Sequence, residues 1–489
     1  MLGDIIKKEI LDNLLSHKFL FIFILCSVLM LFSIYIGAAD YVESKNEYDS
    51  NMAALRERLQ PPESIGIFSE YEGYRLYRQP QVLRTIVAGV EDAAGRVSYP
   101  NQLYENNLME SRHESNTIFT LFGSLDLMFA VKFILSLCAL FLTYDAVSGE
   151  KEKGTLKLSL SGSVSRSRLI SGKIIGNYLS MLLLFLTPLI MSLIVLLLYP
   201  GISLNGEDWR RLVSIFFMFL LYLSVFFALG IFISAMTKRA STSFLVLLFL
   251  WMALVIVVPG ASVIVAKHVR PIPSSSSLSG QKSLFWVETN SAVSAKSNEK
   301  QQELSPKITQ RITEIQPLAK ENPARYQEER AKLTADLSQW HSKILEDRLL
   351  EITDKVTANN IQLDRDYQLK KDAQQSLAKN ISRISPASSL TFGAMTLTRT
   401  GIDEYDRFVA ATRSYRPVYR RWMSALISNP TQSTQIDDSV VSSIPQLPFT
   451  PERLGESLNR TLTDFALMAA MMIILLVGAF FAFMRYDVR

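Results

Sequence analysis

The sequence predicts an α-helical integral membrane protein with six membrane spans, a first soluble excursion that is small and mixed α/β, and a second that is mainly helical. Three observations carry that reading. Six blocks of mostly apolar residues lie along the chain, each with the ~20 residues that a helix needs to cross a hydrocarbon core ~30 Å thick. Hydrophobic residues make up 48% of the chain, a share that would suit a soluble protein were they not gathered into those blocks. Lys and Arg cluster in short segments between alternate blocks, the bias that fixes orientation.

Residues 1–18 precede the first span. Leu2, Ile5, Ile6, Ile10, Leu11, Leu14 and Leu15 share one helical face, with Lys7, Lys8, Glu9 and Asp12 largely opposite. Such a helix is expected to lie in the headgroup region in contact with membrane lipid. The first span, 19–38, reads as a retained signal anchor, because the patterned stretch ahead of it is long for a cleaved signal peptide. The first outer region, 39–126, opens with a helix-compatible arm, Tyr41 to Leu59, ended by Pro61 and Pro62. Beyond it, short apolar and aromatic pieces are broken by Gly66, Gly73, Gly89, Gly95 and Pro100.

The remaining spans are 127–144, 178–199, 212–235, 244–266 and 465–484, with Pro188 and Pro259 as candidate bend points. The second outer region, 267–464, begins with the connector RPIPSSSSLSG from Arg270. It then carries a stripe of Leu333, Leu337, Trp340, Ile344, Leu349, Ile352 and Val356 at spacings close to coiled-coil periodicity. Striped helices between Gln301 and Ile384 cannot bury that side alone. They are expected to form a stalk or hairpin covered by the return helix, the Tyr41 to Leu59 arm or a second copy, ahead of docking on a foreign periplasmic protein. After Pro386, Tyr405, Phe408, Tyr415, Tyr419 and Trp422 recur at near-helical spacings, and a Thr, Ser and Pro-rich connector from Asn429 to Pro451 leads to the last span.

Basic residues near span ends are retained on the cytoplasmic side. The N-terminal tail holds Lys7, Lys8 and Lys18, and the second loop Lys151, Lys153, Lys157, Arg166, Arg168 and Lys173. The fourth loop holds Lys238 and Arg239, and the C-terminal tail Arg485 and Arg489. Both termini and the even-numbered loops are therefore expected inside, with 39–126 and 267–464 outside. The formal charge of +5 is mostly this bias and implies no nucleic-acid partner.

Enzymatic motifs are missing. There is no HExxH and no G-x-S-x-G, and His17, His113, His268 and His341 are scattered. Gly172-Lys173 lacks both the first glycine and the following hydroxyl of a phosphate-binding loop. No catalytic, cofactor-binding or metal-binding residues are assigned. The two cysteines, Cys26 and Cys138, fall inside spans, so the outer regions hold no disulfides and the thiols read as packing residues. Lys132 alone sits clearly within a span, between Asp126 and Asp145. It is the candidate intramembrane polar site, read as snorkelling or a structural contact ahead of an ion relay.

The densest polar stretch is the loop 145–173, DAVSGEKEKGTLKLSLSGSVSRSRLISGK, set between two spans. Glu150 and Glu152 alternate with Lys151 and Lys153, a two-signed surface suited to docking. Gly154 can end one helical turn and Thr155 cap the next, while Arg166 and Lys173 return the chain at headgroup level. A solvated topogenic loop explains the lysines but not this whole pattern. The run Asp145, Ser148, Gly149, Glu150, Glu152, Gly154, Thr155, Leu156, Leu160, Ser165-Arg166 and Gly172-Lys173 resembles the loop between the second and third spans of ABC-2 type transporter permeases. The copper-enzyme maturation permeases are among the members that it resembles. The stretches YRQPQVLRTIVAGVEDAAGR, VVPG, ISPASSLTFGAMTLTRTG and RSYRPVYRRW resemble a subgroup with large outer domains.

That resemblance implies a permease subunit of a bacterial inner-membrane ABC transporter. It would be driven by a separate ATPase, present in two copies and binding ATP and Mg, and paired with a second permease that is identical or related. Asp145, Ser148, Glu150, Glu152, Gly154, Thr155, Arg166 and Lys173 would form the ATPase-coupling loop. Three functional readings stay open: export or extraction of a substrate, transmission of motion to periplasmic proteins without transport, and a gradient-driven transporter or scaffold without an ATPase. The orientation is tested by single cysteines placed by Ser276→Cys and Ser163→Cys in a background lacking Cys26 and Cys138. An impermeant thiol reagent should label the first from outside and the second only after permeabilisation.

Overall fold

The computed structural model describes residues 2–58, 75–91, 93–98, 125–161, 165–427 and 442–486. The expected helix stops Pro61 and Pro62, the breaks at Gly66, Gly73 and Pro100, His113, the labelling position Ser163 and most of the connector after Asn429 lie outside them. Among the described residues, six helices are long and apolar enough to cross a membrane, and the chain divides into a unit of residues 1–260 with 382–489 and a unit of residues 261–381.

In the first unit, α1 (Leu2–Leu14) precedes α2 (His17–Arg58), which carries the first span and continues without interruption through the Tyr41 arm. The second span, α3, is Leu127–Phe129, a π-helical turn at Ala130–Leu135 and Ser136–Thr143. Two short helices follow, α4 (Ser148–Lys153) and α5 (Thr155–Ser161). The third and fourth spans are α6 (Arg166–Leu198) and α7 (Gly206–Met236). The fifth, α8, is Ala240–Met252, a second π-helical turn at Ala253–Val257 and Val258–Val269.

The core centres on α7, which begins with a capping box: Asn205 accepts from the Glu207 and Asp208 amides while Asp208 accepts from the Asn205 amide. Its face of Met218, Phe219, Tyr222, Phe226 and Ile231 is buried in one cluster with residues of the other spans, including Cys26 and Cys138. Both cysteines are free and buried.

The chain from Ser382 onward, grouped by sequence with the second outer region, packs with the membrane helices. Helix α12 (Pro386–Thr398) is too short to span, yet Ala387, Leu390, Ala394 and Leu397 are wholly buried. Gly393 lets it close on Met218. Helix α13 (Ile402–Ile427) follows, and α14 (Leu454–Met484) carries the sixth span, starting well before the apolar block itself.

At the start of α7 a wholly buried guanidinium, Arg211, joins three chain segments. It donates to the Leu397 carbonyl (2.9 Å), the Glu452 carbonyl (2.6 Å) and Ser457 Oγ (3.1 Å), and pairs with Glu207 at 2.9 Å. The described part of the first outer region is tied to the bundle likewise. Arg84 pairs with Asp40 of α2, and Arg78 donates to the Arg399 carbonyl at 3.4 Å. The mixed α/β expectation for 39–126 shows there as a two-residue antiparallel pair, Leu76 opposite Ser98 and Tyr77 opposite Val97, with a 3₁₀ turn at Val82–Thr85.

The second unit is a helical hairpin. Its arms are α9 (Ser275–Ile315, 41 residues) and α11 (Pro323–Ser382, 60 residues), with the one-turn helix α10 (Leu318–Glu321) between them. Lys282 pairs with Asp364 and Lys296 with Glu351, so the arms run antiparallel. Val293, Ile352 and Val356 form a buried cluster. Leu304 and Ile308 on one arm and Leu333, Leu337 and Ile344 on the other are half-buried. Of the expected stripe, Trp340 and Leu349 turn outward, 41% and 64% exposed. A two-helix seam covers only its a and d positions, which is narrower than the stripe the sequence offers.

Gly37 of α2 lies against the described part of the first outer region. A Cβ there would lie 2.3 Å from the Thr85 carbonyl oxygen, whereas at Gly3 nothing lies within 4 Å. Gly37→Ala should lower stability by about 1–3 kcal/mol relative to Gly3→Ala, read by denaturant titration in mixed micelles.

Candidate functional site

At the end of the bundle that carries α1, α4 and α5, the loop singled out by sequence folds into two short helices separated by Gly154. That glycine adopts φ +73° as the left-handed cap of α4, a conformation that strains any residue with a Cβ. Val147 and Leu156 hold the loop from beneath, in an apolar cluster with Leu169, Ile170 and Phe483.

The polar residues above that cluster reach every span. Asp145 pairs with Lys18 of α2, which also donates to the Tyr144 hydroxyl at 3.0 Å. Ser234 of α7 accepts from the Val147 and Ser148 amides, both at 3.0 Å, and its hydroxyl donates to Ser148 Oγ at 3.2 Å. Lys151 donates to the Ala235 and Thr237 carbonyls at the end of α7 and lies 4.8 Å from the centre of the Tyr486 ring. Glu152 accepts the Ala240 amide at 3.0 Å, closing the start of α8. Arg166 donates to the Met484 and Tyr486 carbonyls (3.2 and 3.1 Å) at the end of α14. The Thr155 hydroxyl donates to the Glu150 carbonyl at 3.4 Å.

Two expectations are corrected here. Lys173, expected at headgroup level, is 2% exposed, with Nζ 2.8 Å from Glu9 and 2.6 Å from Glu150. Glu150, expected on an outward two-signed surface, is therefore turned inward, and Lys151 is spent on the end of α7. The cause is electrostatic: an ammonium taken out of water needs carboxylates beside it. Among the described side chains of the loop, Glu152, Lys153, Thr155, Lys157 and Leu158 remain on the outer surface.

The N-terminal helix is corrected with them. Glu9, expected opposite the apolar face, points at Lys173, and α1 lies along α6, where a Cβ at Gly172 or Gly176 would come within 2.6 Å of Ile5 or Glu9. Asn13 donates to Asn177 Oδ1 (3.0 Å) and Ser180 Oγ (3.3 Å), and Asn177 donates to Glu9 (3.2 Å). Leu2, Leu11, Leu14 and Leu15 stay exposed. Sequence reasoning missed Glu9, Asn13, Asn177 and Ser234. Their signal was polarity at the ends of apolar spans, but nothing in local spacing names partners more than 80 residues away.

Lys132 lies outside this hub, in the π-helical turn of α3, with Nζ 5.1 Å from the centre of the Phe133 ring. Asp126 caps α3 instead of pairing with it, accepting from the Ala88 and Phe129 amides at 2.9 and 2.7 Å. Burial pushes the Asp126 carboxyl up to about 6, against the lowering effect of those two donors.

A family profile described as "ABC-2 family transporter protein" matches residues 4–488. The chain belongs to the ABC-2 transporter family. The chain is also 37% identical over 78 residues to the probable ABC transporter permease protein NosY of Stutzerimonas stutzeri, a match covering 16% of this chain and 28% of that relative. This ABC-2 chain is thus a multi-pass membrane protein of a permease family, and its hub is the loop between the second and third spans.

Lys173→Met should leave the half-buried Glu9 and Glu150 without their shared cation and cost about 1–3 kcal/mol. The loss should show as a lower denaturant midpoint and less monodisperse protein. Adding Glu9→Gln and Glu150→Gln to the same chain should restore most of it.

Proposed function

We propose that this chain is the transmembrane subunit of an ABC exporter or extractor. A separate ATPase that binds ATP and Mg docks on the outer face of α4 and α5, and two permeases, identical or related, work with two ATPases. On this reading the hub and both termini face the cytoplasm of a bacterium, and residues 39–126 and the hairpin lie on the other side of the inner membrane. The observation that carries it is mechanical: residues 144–173 are joined by ion pairs or hydrogen bonds to α2, α6, α7, α8 and α14 as well as to their own span. A push on α4 and α5 therefore reaches all six spans together.

The family membership supports an ATPase partner over a gradient-driven transporter or a scaffold. A second reading, transmission of motion to periplasmic proteins without transport, is favoured by the hairpin, whose arms are roughly 60 and 90 Å long at ~1.5 Å per residue. A bound small molecule or lipid that leaves on ATP hydrolysis would favour transport over it.

Charge reversal at Glu152 spares the Glu9, Lys173 and Glu150 triad and alters the outer face. In lipid nanodiscs, Glu152→Lys should dissociate an ABC ATPase that co-purifies with the parent chain or uncouple its hydrolysis, without lowering the amount of permease. Unchanged assembly and coupling would place docking elsewhere.

A further inference from the structure

We infer, independently of the docking proposed above, that Lys132 holds the phosphate headgroup of an anionic lipid in a notch between α3 and α8. An ammonium within a membrane span is costly unless an opposite charge or a hydrogen-bond acceptor stands beside it. Among the described residues, no carboxylate pairs with Lys132 and no oxygen accepts from its Nζ. What meets it is the Phe133 ring, 5.1 Å from Nζ to the ring centre, a contact that positions the charge without neutralising it. Asp126, at the same end of α3, has both oxygens taken: Oδ1 accepts the Phe129 amide and Oδ2 the Ala88 amide. The Lys132 carbonyl is occupied too, by the hydroxyls of Tyr222 and Ser136. The backbone that carries the ammonium is therefore fixed, while its three N–H donors are left for a ligand.

The surroundings select a lipid over a free anion. Lys132 precedes Ser136 by four residues and so shares its side of α3. That side faces α8, because the Trp251 indole donates to Ser136 Oγ at 2.9 Å. The ring contacts of Phe244 with Phe141 and Tyr144 join the two spans further toward the loop end. Lys132 thus stands beyond Trp251 on the Leu127 side, about 8 Å along α3 from Leu127 at ~1.5 Å per residue, and is only half-buried. The Phe129 and Phe133 rings, 4.8 Å apart, line the α3 side of the notch. On α8, Leu248, Met252 and Ile256, spaced by four, form an exposed apolar strip beside Trp251. An acyl chain can lie along that strip, and from this depth a lysine stem reaches the headgroup level of the nearer leaflet.

The test moves the full chain from nanodiscs of equal phosphatidylglycerol and phosphatidylcholine into detergent and counts retained lipids by native mass spectrometry. The parent chain should keep phosphatidylglycerol in preference to phosphatidylcholine. Lys132→Met should lower the occupancy of one phosphatidylglycerol per chain about tenfold, the scale of a lost charge-assisted hydrogen bond, and Lys132→Arg should keep it. Lys132→Gln repeats the comparison should Lys132→Met assemble poorly. A large excess of inorganic phosphate should leave the lipid in place; its displacement would show that the anion alone is recognised and would overturn the lipid assignment. No preference for phosphatidylglycerol in the parent chain, or equal retention by the variants that lack the charge, would overturn the site and leave Lys132 an ordinary snorkelling lysine.

Discussion

The buried ammonium of Lys173 is the constraint on which the loop end of this protein depends. Removing such a group from water costs several kcal/mol, and only close, well-placed carboxylates offset it. Here they come from two separate places: Glu9 on the N-terminal helix and Glu150 on the loop. Lys173 can be buried only if α1 lies along α6 and α4 folds back over the start of the third span. Gly172 and Gly176 permit that close approach, and Asn177 completes it by donating to Glu9. Placement of the N-terminal helix and folding of the loop are thus one event.

A buried cation plays a matching part near the start of α7. Arg211 collects the end of α12, the residues ahead of α14 and its own helix turn through Glu207. Arg399, in a left-handed conformation at φ 59°, adds a second donor to the Glu452 carbonyl. In both places a long basic side chain satisfies carbonyls or carboxylates that would otherwise be buried without partners.

Much of the architecture was legible because it rests on local pattern. The six spans, the helix running on past the first and the helix end at Gly154 follow from apolar length and glycine placement, while stripe spacing narrows the second outer region to a stalk or hairpin without choosing what covers it. What was not legible depends on partners distant in sequence. Glu150 and Glu152 look alike in the run GEKEK, yet one neutralises Lys173 and the other closes α8. Helix α12, with its small residues Ala387, Ser388, Ser389, Gly393 and Ala394, falls within the stretch grouped by sequence with the second outer region, because its burial is supplied by α7 and α14. Trp340 and Leu349 fit the stripe but not the narrower seam of two helices.

Between these ends the bundle is held differently. Hydrocarbon tails are as apolar as leucine, so apolar spans gain little directional preference from burial alone. Tyr178 and Ser224 join their hydroxyls at 2.9 Å between the third and fourth spans, and further described hydrogen bonds lie at the two π-helical turns, where backbone carbonyls fall out of the ordinary ladder. In α3 the Lys132 carbonyl accepts from the Tyr222 hydroxyl at 2.7 Å and from Ser136 at 2.7 Å, and Ser136 in turn accepts from the Trp251 indole at 2.9 Å. In α8, Pro259 has no N–H to return to the residue five before it in a π-helical turn, and that residue, Leu254, accepts from the Ser385 hydroxyl instead. The irregular turns in the second and fifth spans are therefore joined to α7 and to the entrance of α12, which fixes the packing of an otherwise uniform apolar interior.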